Sequence, residues 1–234
     1  ILQRLEKVTR FYKYLEDEQC NKGLQELHLL LQDVRNIAGS IALLKERHSS
    51  CSDVDFYELK CLALVAAKVS RLAEMHSLQW EDMPSLEAPL SILDIDGERL
   101  PSFFISDGYS ATLAQQRKEI ERAETDEERD RLAMAAAQEE DRVRRRLTKE
   151  LAPFADDFSR VLGALAMDDL LLAKARWAYE HHYCCPTPLS ADSETDFYDL
   201  IHPEVAEKLT ERGEHFQPVS IRIGAHPTLI TGAN

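Results

Sequence analysis

Glycine and proline are scarce in this chain, 8 and 9 in 234 residues, and they are bunched rather than spread. That scarcity argues against a turn-rich fold and for long helices. Cysteines number 5, an odd count with no C-x-x-C pair, which speaks against a disulfide framework or a zinc ribbon and for a reducing, cytoplasmic setting. No apolar run approaches the ~18 residues of a membrane span, so no membrane partner is expected. Basic residues are outnumbered, 28 Lys and Arg against 42 Asp and Glu, for a net charge of −14. Affinity for nucleic acid comes largely from neutralising phosphates, so a broad nucleic-acid surface is disfavoured and any DNA contact must be local. No signal peptide is expected, and the first residue is Ile1 rather than methionine.

What is present is mostly helical pattern. Leu24, Leu27, Leu31, Val34, Ala38 and Ile41 recur three and four apart, which predicts one helix running to about Arg47. Asp53 reads as the N-cap of a second helix that buries Phe56, Leu59, Ala63, Ala66, Val69 and Leu72. Pro84 and Pro89 mark a loop after it. Ile92 to Ile95, then Asp96-Gly97, then Arg99 to Ile105 predicts a β-hairpin over 92–106, with Pro101 confining the second arm to an edge.

From Tyr109 to Ala152 there is no glycine or proline, and strong helix formers dominate. Thr125-Asp126-Glu127-Glu128 has the form of a capping box. One helix is therefore expected to climb from about Ser110 and turn near Glu124, and a longer one to descend to about His182, on the order of 80 Å, with a kink at Pro153. The descending helix carries Arg142, Arg144, Arg145 and Arg146 beside Glu139, Glu140 and Asp141. Such a mixture suits a solvated face of i,i+4 pairs, or else a local phosphate contact at the tip of the arm. Leu162 to Ala175 is apolar nearly all round, which predicts burial, and Asp168 and Asp169 within it need hydrogen-bond partners. His181, His182, Cys184 and Cys185 supply metal-ligand types, but adjacent side chains at a helix end diverge by about 100° and rarely close one tetrahedral site, so no metal is expected. Cys20, Cys51 and Cys61 read as small buried apolar residues.

After Pro186 and Pro188 an irregular polar stretch leads to Ile201-His202-Pro203, a short helix to about Arg212, and two strands near Pro218–Ile223 and Thr228–Thr231. The last strand feeds Gly232, which stands where G-x-x-x-x-G-K-[ST] begins. In that motif backbone N–H groups wrap nucleotide phosphates, a lysine neutralises them and a hydroxyl holds Mg²⁺. The second glycine, the lysine and the hydroxyl do not follow, since Asn234 is the last residue. Both ends are therefore expected to be cuts in a longer protein, and the piece itself is not expected to hydrolyse ATP.

Three separated segments resemble the MutS family of DNA mismatch-repair ATPases. Ile105-Ser106-Asp107-Gly108-Tyr109 through Arg117 resembles the family's "I-x-x-G-Y-x-x-E-L-D-E-L-R", which opens the rising lever helix. Asp169-Leu170-Leu171-Leu172-Ala173 through Tyr183-Cys184-Cys185-Pro186 is similar to the foot of the descending lever. His202-Pro203, Phe216-Gln217-Pro218 and Leu229-Ile230-Thr231-Gly232-Ala233-Asn234 are similar to "R-H-P … F-V-P-N-D … L-I-T-G-P-N-M-x-G-K-S". Val219 replaces the usual asparagine, and Ile201 the usual arginine. The resemblance implies a mainly α fold, with a helical core, a long antiparallel lever-helix pair and the first strands of a truncated α/β ATPase domain. The implied divisions are a core over 1–108, levers over 109–183, and a linker with the edge of the ATPase domain over 184–234. It further implies that Phe216 stacks on adenine and that Gly232, Ala233 and Asn234 open the phosphate loop. ATP and Mg²⁺ would bind the parent, a DNA-dependent ATPase that forms a homodimer through its ATPase domain. The family's mismatch-reading domain has no counterpart here. The levers turn directly between Glu124 and Gln138 without the family's β clamp. The expected role is coupling of ATP binding to the binding of mismatched or otherwise irregular DNA, with Arg142, Arg144, Arg145 and Arg146 as DNA contacts. A paralogue acting on branched or recombination DNA, and a non-catalytic helical interaction scaffold, are the alternatives.

Overall fold

The computed structural model describes residues 2–46, 49–190, 193–224, 227–229 and 231. It divides into a helical unit over 1–184 and a smaller unit over 185–234. The chain is mainly α, as expected, with one two-stranded antiparallel β pair among the described residues.

In the helical unit α1 (Leu2–Glu16) is followed after one residue by α2 (Glu18–Leu31). Asp17 forms the joint, its carboxylate accepting the Cys20 N–H at 2.8 Å. The single helix expected from Leu24 to Arg47 is instead two, because α2 stops and α3 (Ala38–Lys45) starts afresh. Asp33, Val34 and Asn36 between them are poor helix formers, and the Asn36 side chain takes the Ala38 N–H at 3.2 Å. Arg47 lies outside the described residues. Helix α4 (Asp53–Met75) is capped by Ser52 rather than Asp53, in a full capping box with Asp55. Burial acts to raise the Asp55 carboxyl, yet hydrogen bonds from Ser52 and Ser40 hold it below the usual range.

The hairpin expected over 92–106 does not form. Glu87–Leu93 is a short helix, α5, whose Pro89 sits in the first turn, where its missing N–H costs no helical bond. Leu86, Pro89, Leu90 and Leu93 are all buried, and an extended arm would expose half of them. The turn itself is present: the Gly97 N–H donates to the Asp94 carbonyl at 2.9 Å, with Gly97 at φ +68°. After it the chain makes no strand pairing among the described residues and passes through a 3₁₀ turn, Asp107–Tyr109, to α6 (Ala111–Arg122).

Helices α6 and α7 (Asp126–Leu151) form the expected arm, joined by residues 123–125 and capped by Ser110 and Thr125. A 3₁₀ turn, Ala152–Phe154, contains Pro153 and separates α7 from α8 (Ala155–Glu180), where the kink was expected. At 1.5 Å per residue α6 covers about 18 Å and α7 about 39 Å, so only the first half of α7 belongs to the arm. Its second half enters the core through Val143, Leu147 and Leu151.

Helix α8 is buried on one face, through Phe158, Val161, Leu165, Asp168, Leu171, Leu172 and Ala175. The all-round burial expected for Leu162 to Ala175 is corrected: Gly163, Ala166 and Ala173 face outward, as do Leu170 and Trp177. Apolar composition alone does not say which side meets a neighbour. Among the described residues no helix is long and apolar enough to cross a membrane.

In the smaller unit, β1 (Thr195–Leu200) pairs with β2 (Val219–Ile223), with Phe197 opposite Ile221. Helix α9 (Pro203–Glu211) lies between them in sequence, with Pro203 in its first turn. Strand β2 and α9 stand where expected, whereas β1 replaces the expected irregular stretch. Residues 227–229 and 231 are not in a strand, and Ile230 lies outside the described residues. None of the described residues of this unit is buried.

Helices α2 and α4 approach at Gly23, where an added Cβ would lie 2.6–2.9 Å from the His76 side chain. The ring is held there, its Nδ1 lying 3.2 Å from the Gln19 carbonyl. Helix propensity alone makes Gly23→Ala stabilising by about 1 kcal/mol. Overpacking reverses the sign, and urea unfolding is expected to show a net loss of roughly 1–3 kcal/mol.

Candidate functional site

The arginine cluster on α7 is not at the tip of the arm. The tip is residues 123–125, whereas Arg142 to Arg146 lie about 25–30 Å down the helix at its root, by the rise per residue. Arg144 makes a two-pronged contact with Asp53 at the start of α4, at 2.8 and 3.2 Å, and a third bond to Asp141 at 2.8 Å. Glu140 stands 3.5 Å away. The Asp53 carboxylate, followed by Asp141 and Glu140, raises the Arg144 pKa further, so this side chain is a permanent cation consumed by internal acids. Arg142 pairs with Glu139 at 3.0 Å. Arg146 donates to the Tyr109 carbonyl at 2.7 Å and lies 3.7 Å from Glu150. Only Arg145, of the four, is exposed and free of an ion pair among the described residues.

Lys149 adds to this face. Arg142, Arg145 and Lys149 are exposed at i, i+3 and i+7, one stripe on α7. The spacing was legible in the sequence, but the arginine run drew attention from it. The tip has the opposite character. Between Lys118 and Arg131 four basic side chains meet seven acidic ones, and Arg129 is already paired with Asp126 at 3.0 Å. Phosphates are repelled there and attracted, if anywhere on the arm, at its root.

Phe216 is half-buried, so part of its ring is available for stacking. Gly232, Ala233 and Asn234 lie outside the described residues.

Asp168 is fully buried on the inner face of α8. One carboxylate oxygen accepts the Glu81 N–H at 3.0 Å, and the other has no hydrogen-bond partner among the described residues. The segment carrying Glu81 is bolted to α1 by Lys7–Glu81, by Arg10 to the Gln79 side chain at 3.2 Å and by the Gln79 N–H to the Tyr14 hydroxyl at 3.1 Å. Trp80 packs edge-on against Phe11, with ring centroids 5.6 Å apart. This hydrogen bonding is structural, as the sequence suggested for Asp168, whereas Asp169 is exposed.

At the end of α8 His181 lies against Trp177, centroids 4.1 Å apart, and stacks on Tyr183 at 5.5 Å. Among the described residues no cluster of three or more His, Cys, Asp or Glu is arranged to hold a metal ion. All five cysteines are free thiols. Cys51 is buried, Cys20 and Cys61 are half-buried rather than fully buried, and Cys184 and Cys185 are exposed. Comparison with known proteins adds nothing to this geometry: no protein-family model, no curated protein and no solved structure matches the chain.

Burial pushes the Asp168 carboxyl up to about 7, against the opposing pull of Lys7 and Arg10. Its folded pKa lies above the unfolded 3.8, so its contribution to stability is complete below pH 3.8 and is lost as pH rises to about 7. Asp168→Asn is expected to flatten that slope and to be at least as stable as the parent at pH 7.5. Urea unfolding across this range checks it, and an unchanged slope in the variant would count against this assignment.

Proposed function

We propose that the chain is the core and lever of a MutS-like DNA-repair protein that couples ATP binding to the binding of mismatched or otherwise irregular DNA. The observation that carries this reading is the arm. Two capped antiparallel helices turn through three residues, and the descending one continues past Pro153 into α8, the central helix of the core. That order follows the resemblance of Ile105–Arg117 and Asp169–Pro186 to the two ends of the family's levers. A small rotation of α8 at the root displaces the tip much further, which is the mechanical use of a stiff helix pair.

In this reading ATP and Mg²⁺ bind a complete nucleotide site, with Phe216 stacking on the base and Gly232, Ala233 and Asn234 opening the phosphate loop. The parent hydrolyses ATP as a homodimer joined through its ATPase domain. Its five free thiols suit a reducing cytoplasm. DNA meets the root of the arm through Arg142, Arg145 and Lys149 rather than through its acidic tip. A narrow basic stripe on a chain of net charge −14 supports weak, local binding. Because no β clamp stands at the tip among the described residues, branched or recombination DNA suits the arm as well as a mismatch does. The acidic tip favours a second reading, a non-catalytic helical scaffold.

Fluorescence anisotropy of homoduplex, mismatched and four-way-junction DNA, at low and physiological salt, tests these readings together. The chain is expected to bind weakly and in a salt-sensitive way, with irregular DNA preferred. Arg145→Glu with Lys149→Glu is expected to lower affinity for all three DNAs and to reduce the salt slope by about 2, one per phosphate contact. Tight binding at physiological salt, or binding indifferent to this pair, would overturn the assignment. No binding to any of the DNAs would favour the scaffold.

A further inference from the structure

Between α5 and α6 the chain passes as a loop, Asp94–Ser106, over a small open pocket of about 40 Å³. Its wall is charged and unevenly satisfied. Lys60, 6% exposed, bonds Asp94 at 2.8 Å, and the other Asp94 oxygen accepts the Arg99 N–H at 2.9 Å. Asp96 and Glu98 also line the pocket, and neither makes an ion pair among the described residues. Three carboxylates around one ammonium leave the wall negative. The Ser106 hydroxyl, on the same wall, is buried without a hydrogen-bond partner among the described residues.

Around this pocket the loop is apolar and open. Ile95, Leu100 and Phe104 are 47%, 51% and 65% exposed. Phe103 is half-buried, Phe104 exposed and Ile105 buried, the alternation of an extended chain. The Phe104 N–H has no hydrogen-bond partner among the described residues, whereas the Ile105 backbone faces Arg117, whose guanidinium donates to the Ile105 carbonyl at 2.9 Å. An extended edge with a free N–H, apolar side chains and unpaired acids is suited to strand addition.

We propose that the Asp94–Ser106 loop docks an extended basic segment of a partner protein. An arginine or lysine of that segment enters the pocket between Asp96 and Glu98, the two carboxylates of the wall without an ion pair among the described residues. Flanking apolar side chains cover Leu100 and Phe104, and the partner's backbone pairs with Phe104, on the edge away from Arg117. A guanidinium fits best, because its five fixed donors serve several acceptors at once. Charge selects this occupant over the others. Nucleic acid would set phosphates against Asp96 and Glu98, and a second copy in a two-fold contact would set the same acids against themselves.

The test uses the 234-residue chain and a labelled short peptide of alternating Arg and Val, with a Glu-Val peptide as its counterpart. At physiological salt the Arg-Val peptide is expected to bind at least about tenfold more tightly than the Glu-Val peptide, the usual scale for a few matched charges. Asp96→Lys with Glu98→Lys should abolish that difference and Phe104→Ser should weaken it, while Glu127→Lys with Asp130→Lys on the arm changes little. Circular dichroism verifies that these surface variants stay folded, and hydrogen exchange should slow at Phe104 on binding. Equal binding of the two peptides, equal loss from the arm variant, or protection elsewhere would overturn the proposal. So would self-association of the chain that Phe104→Ser abolishes.

Discussion

Four helices, α1, α2, α3 and α4, all pack against the inner face of α8, and the helical unit is organised around that shared seam. Phe158, Leu165 and Leu171 are among the largest fully buried side chains, set where one buried stripe recurs every three or four residues. Truncating any one of them would leave a cavity touching several helices at once, at a cost of order 3 kcal/mol. The seam also explains why Asp168 is tolerated in it. The Glu81 N–H reaches the carboxylate from a segment that is itself fastened to α1, so one buried polar group links α8 to α1 through that segment.

The arm obeys a different rule. Its helices are held by charge pairs and by a few apolar contacts such as Leu113 and Ala136, and its root is pinned by the Arg144 fork on Asp53. That fork links residues 91 apart in sequence and fixes where α7 meets α4. The electrostatic consequence is that most of the α7 arginines are spent on internal geometry. A cluster that looks in sequence like a phosphate-binding patch is here mainly a joint.

Much of the fold could be read from periodicity and caps. The turn near Glu124, the helix start near Ser110, the Thr125 cap and the interruption at Pro153 are all local signals, and local signals survive into the structure. The failures are of another kind. The Asp96-Gly97 turn was visible, but strands on either side of it were not dictated by the turn; burial of Leu90 and Leu93 decided for helix. The apolar run of α8 announced burial without saying on how many sides. The break after Leu31 depended on Asn36 competing for a backbone N–H. For the candidate site, residue types were legible and positions were not, because pairing with Asp53 or Glu139 is a matter of tertiary distance. The exposed loop over Lys60 carried only its Asp96-Gly97 turn as a signal, and the packing around it revealed the unpaired acids and the orphaned hydroxyl.

Pro153 has a mechanical meaning. With no N–H of its own it leaves one rung out of the ladder between α7 and α8, and the chain tightens locally into a 3₁₀ turn. A continuous helix spreads bending strain along its whole length. One with a missing rung concentrates it at that point, as a scored rod does. The arm and the core helix can therefore be stiff individually while the angle between them stays the softest coordinate of the descending strut.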